Sequence, residues 1–332
     1  MIKLFIDFIS FIYSVVPFLT MLMLWTFLAV KFSKSIKKHA NIYYWVFGIL
    51  SFSFAIPILV RLATGYSLPS VMTIPIIGDI ASSLSNGSEF IHPVLVIIMF
   101  MGAFSPKIKM IGKLMSIRKE LSIIVGFPVI AHLSKRLFST FPNSWSYFAN
   151  YSESIQSPRV ASVIGSNITN SVLVLGIVMT TLFLMLWITS FDGVRRKMGG
   201  KTWKKVQWWS YPLYAMLFIH ATGLQAGMII SSNAMAAQKA KTELVAQANA
   251  NEDKQMVQAK GGEKAKITTA KNREQAKVTP KARSKRFSFS NIKVSRTSKS
   301  IIRIIIYVLV YGSYLFFRLR KRATDRARKS KR

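Results

Sequence analysis

The chain contains no cysteine in 332 residues. That absence excludes disulfides, iron–sulfur clusters and covalently attached c-type haem, and it leaves only non-covalent cofactors held by histidine, methionine or tyrosine. Acidic residues are also scarce, 12 against 46 lysines and arginines. There is no Gly-x-Gly-x-x-Gly after a strand, no phosphate-cradling Walker loop and no room for a soluble nicotinamide or flavin domain, so the chain cannot draw electrons from NAD(P)H by itself. Serine, histidine and aspartate do not gather into a hydrolytic arrangement.

What is present is apolar. Hydrophobic residues make up 51% of the chain, and they fall in long runs rather than in amphipathic stripes. Such runs predict a polytopic membrane protein with spans near 4–30, 42–62, 87–104, 121–138, 169–191, 208–231 and 301–317. The fold class expected is all-α, a helical membrane bundle of six core spans plus a C-terminal seventh, because in lipid each backbone amide must find its partner within its own segment. The first run is read as a retained span, since Met1-Ile2-Lys3 is a weak basic start and no small-x-small cleavage site closes the run.

The formal net charge of +34 would suggest nucleic acid in a soluble protein. Here topology explains most of it, and no nucleic-acid partner is expected. The connections containing Lys31 to Lys38, Lys107 to Lys119 and Arg195 to Lys205 are basic, whereas 63–86 and 139–168 are poor in Lys and Arg. By the positive-inside rule the basic loops face the cytoplasm, which places the N-terminus outside and the C-terminus inside a cell membrane of bacterial type. Residues 232–299 hold 16 Lys and Arg yet fall outside by this alternation, a tolerable exception for a long loop. That stretch reads as a partly helical or disordered basic arm, either a solvated spacer or an attractor for anionic polymer, headgroups or an acidic partner. The domains expected are a two-span region over 1–86, a core over 87–231, the arm over 232–299, and a final helix with a basic tail over 300–332.

Two histidines carry the chemical signal. His132 lies 12 residues after Glu120 in the fourth span, and His220 lies 13 after Gln207 in the sixth. At about 1.5 Å per residue, both rings sit roughly 18–20 Å from the cytoplasmic face. Polar imidazoles at one depth in lipid form a site by default, and two such rings suit a b-type haem with His132 and His220 as metal ligands. A buried histidine hydrogen-bonded to a neighbouring helix is the competing reading. Lys135 and Arg136 follow His132 by about one turn, where haem propionates would point; snorkelling basic residues at a helix end fit the same pattern. His92, just before Pro93, stands near the proposed haem level as a distal contact or part of an acceptor site, or as a simple hydrogen-bonded histidine. Trp203, Trp208 and Trp209 sit at the inner rim, where they suit either a bound quinone or flavin ring or an interfacial aromatic belt.

The segments Ile117-Arg118-Lys119-Glu120-Leu121 through Ala131-His132-Leu133, Trp187-Ile188-Thr189-Ser190-Phe191, Arg195-Arg196-Lys197-Met198-Gly199-Gly200 through Gln207, Tyr211 and Ile219-His220 resemble the ferric-reductase-like transmembrane domain family. Within it, the nearest likeness is to the haem-bearing membrane subunit of the bacterial periplasmic methionine-sulfoxide reductase system. The resemblance covers about residues 87–231 and implies that His132 and His220 ligate haem b. It departs at Gln207, where the family usually has a further histidine, so a second bis-histidine site at the inner level is not expected. The function expected is electron transfer within an oxidoreductase system. Electrons would pass from a membrane quinol or a cytosolic flavoprotein to an extracytoplasmic redox partner, namely a flavoprotein, a reductase subunit or ferric iron. Quinone or flavin is the additional cofactor considered. The alternative is a haem-free membrane scaffold or transporter component that keeps the fold.

Overall fold

A computed structural model describes residues 2–68, 74–158, 160–260 and 294–330. These residues are mostly helical and contain no strand. Five helices are long and apolar enough to cross a membrane, and up to seven spans result if each of two bent pairs counts as one. The chain is thus an all-α bundle of multi-pass membrane type.

The chain opens with α1 (Ile2–Val15) and α2 (Pro17–Lys31). The single span expected over 4–30 is instead two helices bent by 111°. Pro17 is the cause: it has no N–H to continue the ladder and forces the preceding Val16 out of the helical region, to φ −129° and ψ 57°. Short α3 (Ser33–Lys38) leads into α4 (Ala40–Thr64), which Gly65 ends in the left-handed conformation that glycine adopts without strain. After α5 (Ile77–Leu84), a π-helical turn (Gly87–Ile91) feeds α6 (His92–Met101). Every residue of α6 from His92 to Met101 except Phe100 is buried, so this short rod is the axis of the bundle.

Then come α7 (Lys109–Ser116), α8 (Arg118–Ser139), α9 (Phe141–Ala149) and α10 (Tyr151–Ser154). The expected outer connection 139–168 is therefore itself largely helical. Pro142 starts α9 in the first turn, and Tyr147 ties it to α11 by donating to Asn167 Oδ1 at 2.6 Å. α11 (Val163–Ile188) begins under a Ser162 cap whose hydroxyl accepts from the Gly165 N–H. α12 (Asp192–Met198) and α13 (Gly200–Gln207) lead to α14 (Ser210–Lys260), and α15 (Arg296–Ser330) closes the chain. The arm expected over 232–299 starts as a continuation of α14 through Lys260 and ends in the first turn of α15; its residues 261–293 lie outside the described residues.

The principal pairings are α11 with α14, α4 with α8, and α14 with α15. Ile97, Ile98, Ile124, Phe183, Leu213 and Leu217 join in one core cluster, drawn from α6, α8, α11 and α14. The outward faces are apolar too: Ile164, Val178 and Leu309 are all exposed. An apolar core with an apolar exterior is the arrangement lipid favours, since there is no water on that face to demand polar side chains.

Candidate functional site

His132 is carried by α8, beside the break between α5 and the π-helical turn. That break leaves the Ser85 carbonyl outside regular helix bonding, and His132 Nδ1–H donates to it at 2.9 Å. Gly87 follows directly, and a side chain there would meet the ring: an added Cβ would stand 3.6 Å from Cε1 and 3.9 Å from Nε2. The turn at Gly87 therefore packs within van der Waals reach of the imidazole's far edge.

His220 is carried by α14, and the same arrangement recurs. Its Nδ1–H donates to the Val172 carbonyl of α11 at 2.7 Å. A side chain can reach a carbonyl inside a neighbouring helix only where the two backbones approach closely. Gly223 and Gly227 supply that approach, as a Cβ at Gly223 would stand 2.5 Å from Val172 Cγ1 and one at Gly227 would overlap Thr169. Small residues four apart are the usual means of bringing membrane helices together. Gly176 then faces the ring, 3.4 Å from its Cε1 to an added Cβ.

Both rings line one cavity of about 320 Å³ enclosed by α6, α8, α11, α14 and Tyr307 of α15. Its volume falls at the lower end of ligand cavities, roughly 300–1,000 Å³, and Leu95, Val129, Phe183, Leu213 and Leu217 make its wall mostly apolar. A carbonyl can only accept, so each imidazole is protonated at Nδ1 and carries its lone pair at Nε2. Among the described residues neither Nε2 has a hydrogen-bond partner. An imidazole with Nδ1–H on a carbonyl and Nε2 without a partner is the form in which histidine offers a nitrogen donor.

The other expected residues divide. Arg136 lines the cavity and reaches Thr140 Oγ1 at 3.4 Å. Lys135 is absent from the lining; its ammonium sits 5.5 Å above the Phe54 ring on the α4 side. One residue along a helix is a rotation of about 100°, enough to separate the two. His92 is buried in the cavity wall, but its Nε2 is bonded to the Tyr311 hydroxyl at 2.8 Å and its ring lies against Phe18 and Tyr307 at 4.6 and 5.2 Å. The structure therefore joins His92 to α15, with one ring nitrogen already committed. Gln225, which sequence reasoning missed, also lines the cavity, and its buried Oε1 has no hydrogen-bond partner. Its signal was a carboxamide five residues after His220 in an otherwise apolar segment.

At the Gln207 level the polar groups satisfy one another. Gln207 donates to Thr189 Oγ1 at 3.2 Å, Trp203 Nε1–H to the Thr189 carbonyl at 3.0 Å, and the Arg195 guanidinium stacks 4.7 Å from the Trp203 ring. Lys119 bridges Asp192 at 2.9 Å and Glu120 at 3.6 Å. The Lys119 ammonium holds the Asp192 carboxyl below its ordinary value. Trp203 is thus pinned, while Trp208 and Trp209 are exposed. Among the described residues no group of three or more His, Cys, Asp or Glu gathers as a metal cluster.

Comparison with known proteins adds one short likeness. No family model matches the chain, and no solved structure matches it. A stretch of 43 residues, 13% of this chain, is 46% identical to an uncharacterized protein of Treponema pallidum (strain Nichols), and it spans 12% of that protein's length.

Proposed function

We propose that the chain is a membrane b-type cytochrome of the ferric-reductase-like kind, the electron-transfer subunit of an oxidoreductase system. The observation that carries this reading is the matched pair of imidazoles, His132 and His220, each with Nδ1–H on a backbone carbonyl and Nε2 unengaged at one cavity. Haem, when bound, supplies a one-electron iron couple. The protein's part is positional. Ser85 and Val172 fix the tautomer and tilt of the two rings, Gly87 and Gly176 pack against them, and the cavity wall is mostly apolar. The basic loops support an orientation with the N-terminus outside and the C-terminus in the cytoplasm of a bacterial cell. In that orientation the donor is a membrane quinol or a cytosolic flavoprotein, and the acceptor is an extracytoplasmic redox partner.

Absorption spectra of the detergent-purified full chain, oxidised and then reduced with dithionite, test the proposal. Sharp reduced bands that disappear in both His132→Ala and His220→Ala are expected. Colourless protein after haem-supplemented expression would refute it.

A further inference from the structure

We infer that Arg318, Lys321 and Arg322 of α15, with the Tyr211 hydroxyl of α14, form a binding site for the phosphate of an anionic phospholipid at one edge of the bundle. The apolar run of α15 ends at Phe317, so the three cations begin where hydrocarbon gives way to headgroups. Arg318 donates from Nη1 to the Gly102 carbonyl at 2.6 Å and from Nη2 to the Tyr211 hydroxyl at 2.5 Å. Lys321 donates to the Gly102 and Phe104 carbonyls at 3.1 and 2.9 Å. These bonds fix both side chains against the end of α6. The Arg322 guanidinium lies 5.6 Å from the centre of the Tyr211 ring, which brings a third charge to the same tyrosine.

The cluster is short of an anion. Its partners are all neutral, and among the described residues no carboxylate stands within ion-pairing distance of any of the three cations. The α6 carbonyls offset part of the charge, as a helix C-terminus does, but bring no full negative charge. Arg318 and Lys321 are half-buried, and positive charge drawn out of water costs free energy until a negative charge joins it. An arginine carries five N–H donors and a lysine three, so donors remain for a phosphate once the carbonyls and the tyrosine are served. The surroundings point to lipid as its source. Leu315, Phe316 and Leu319 of α15 are exposed beside the cations and offer acyl chains an apolar flank. Trp208, also exposed, lies 6.0 Å from the Tyr211 ring, as aromatic side chains do at headgroup level. Basic pockets between helices at a membrane boundary are common seats of anionic headgroups.

The inference is independent of the haem reading, since none of these residues lines the histidine cavity. Native mass spectrometry of the full chain, released from micelles holding equal phosphatidylglycerol and phosphatidylcholine, tests it. Wild type should retain one phosphatidylglycerol in roughly fivefold or greater preference, the weight of about one basic side chain beside an anionic headgroup. Arg322 holds neither of the α6 carbonyls, so Arg322→Gln leaves the packing of α15 on α6 in place and should lower that preference severalfold. Arg320→Gln, an equal loss of charge two residues away, should leave it unchanged. Equal retention of the two lipids by wild type would overturn the inference. So would an Arg322→Gln protein that loses no more preference than Arg320→Gln, which would mark diffuse charge rather than a site. Inorganic phosphate, compared with chloride at matched ionic strength, separates the sources: no displacement is expected, and displacement of the bound lipid would overturn the assignment to lipid in favour of a free anion.

Discussion

The histidine level and the Gln207 level of the bundle are built from the same pair of helices, α8 with the run of α13 and α14, yet they behave as opposites. At the Gln207 level Gln207, Trp203, Thr189, Lys119 and Asp192 answer one another directly, and nothing is left over. At the histidine level each ring answers the backbone with one nitrogen only, and both rings line a cavity of about 320 Å³. The difference teaches what distinguishes a structural polar cluster from a site. Both satisfy polar groups, but only the second leaves one nitrogen of each imidazole without a partner among the described residues, with Gly87 and Gly176 packed against the two rings.

Four substitutions break or sharpen that contrast. The largest effect is expected from Gly176→Leu, which fills the space facing His220 and leaves both imidazoles in the sequence; the reduced absorption bands should be lost while the protein still purifies as a folded species. Bands of wild-type intensity would show that the cavity does not hold the chromophore. Next is Trp187→Phe. Trp187 Nε1–H donates to the Ile123 carbonyl at 3.0 Å, near Pro128, and its ring fills the room left by Gly126. Losing that bond should lower stability by about 1–2 kcal/mol, read from thermal unfolding in detergent, and should shift the haem bands only slightly.

Lys119→Met should do less, under about 1 kcal/mol, because the Lys119–Asp192 pair is half exposed and screened. The sign with pH follows from Asp192, whose folded pKa is depressed by Lys119. The stabilisation it gives is complete above the ordinary carboxyl value of 3.8 and fades as pH falls through the lower folded value. Wild type should therefore lose its small advantage over Lys119→Met in acid, as unfolding scans at pH 7 and pH 3 would reveal; an advantage that grows in acid would contradict the assignment. The smallest effect is expected from Gln207→His. The matching inner level of α8 offers Arg118, Lys119 and Glu120 rather than a second histidine, so haem content should not change.

Much of this was legible beforehand. Five of the seven apolar runs correspond to single long helices, the first and third falling in bent pairs, and His132, His220 and Arg136 line one cavity, because depth along a helix is a linear count of residues. What was hidden is of three physical kinds. The break at Val16 and Pro17 was present as a proline, but an apolar run overrides a single breaker when hydropathy alone is weighed. Lys135 and Arg136 differ by a rotation about the helix axis, and which of them faces the cavity depends on how α4 packs against α8. His92 finds its partner in Tyr311, 219 residues away on α15, a contact that no local pattern encodes. Gln225 stood in plain view but gains meaning only from the cavity that leaves its oxygen alone.

The most direct measurement of the central claim is the number of haems per polypeptide, by pyridine haemochrome assay against quantitative amino-acid analysis on the full chain. One haem per chain is expected, falling to none in His132→Ala and in His220→Ala and staying at one in Gln207→His. A wild-type ratio of zero, or of two, would contradict the account.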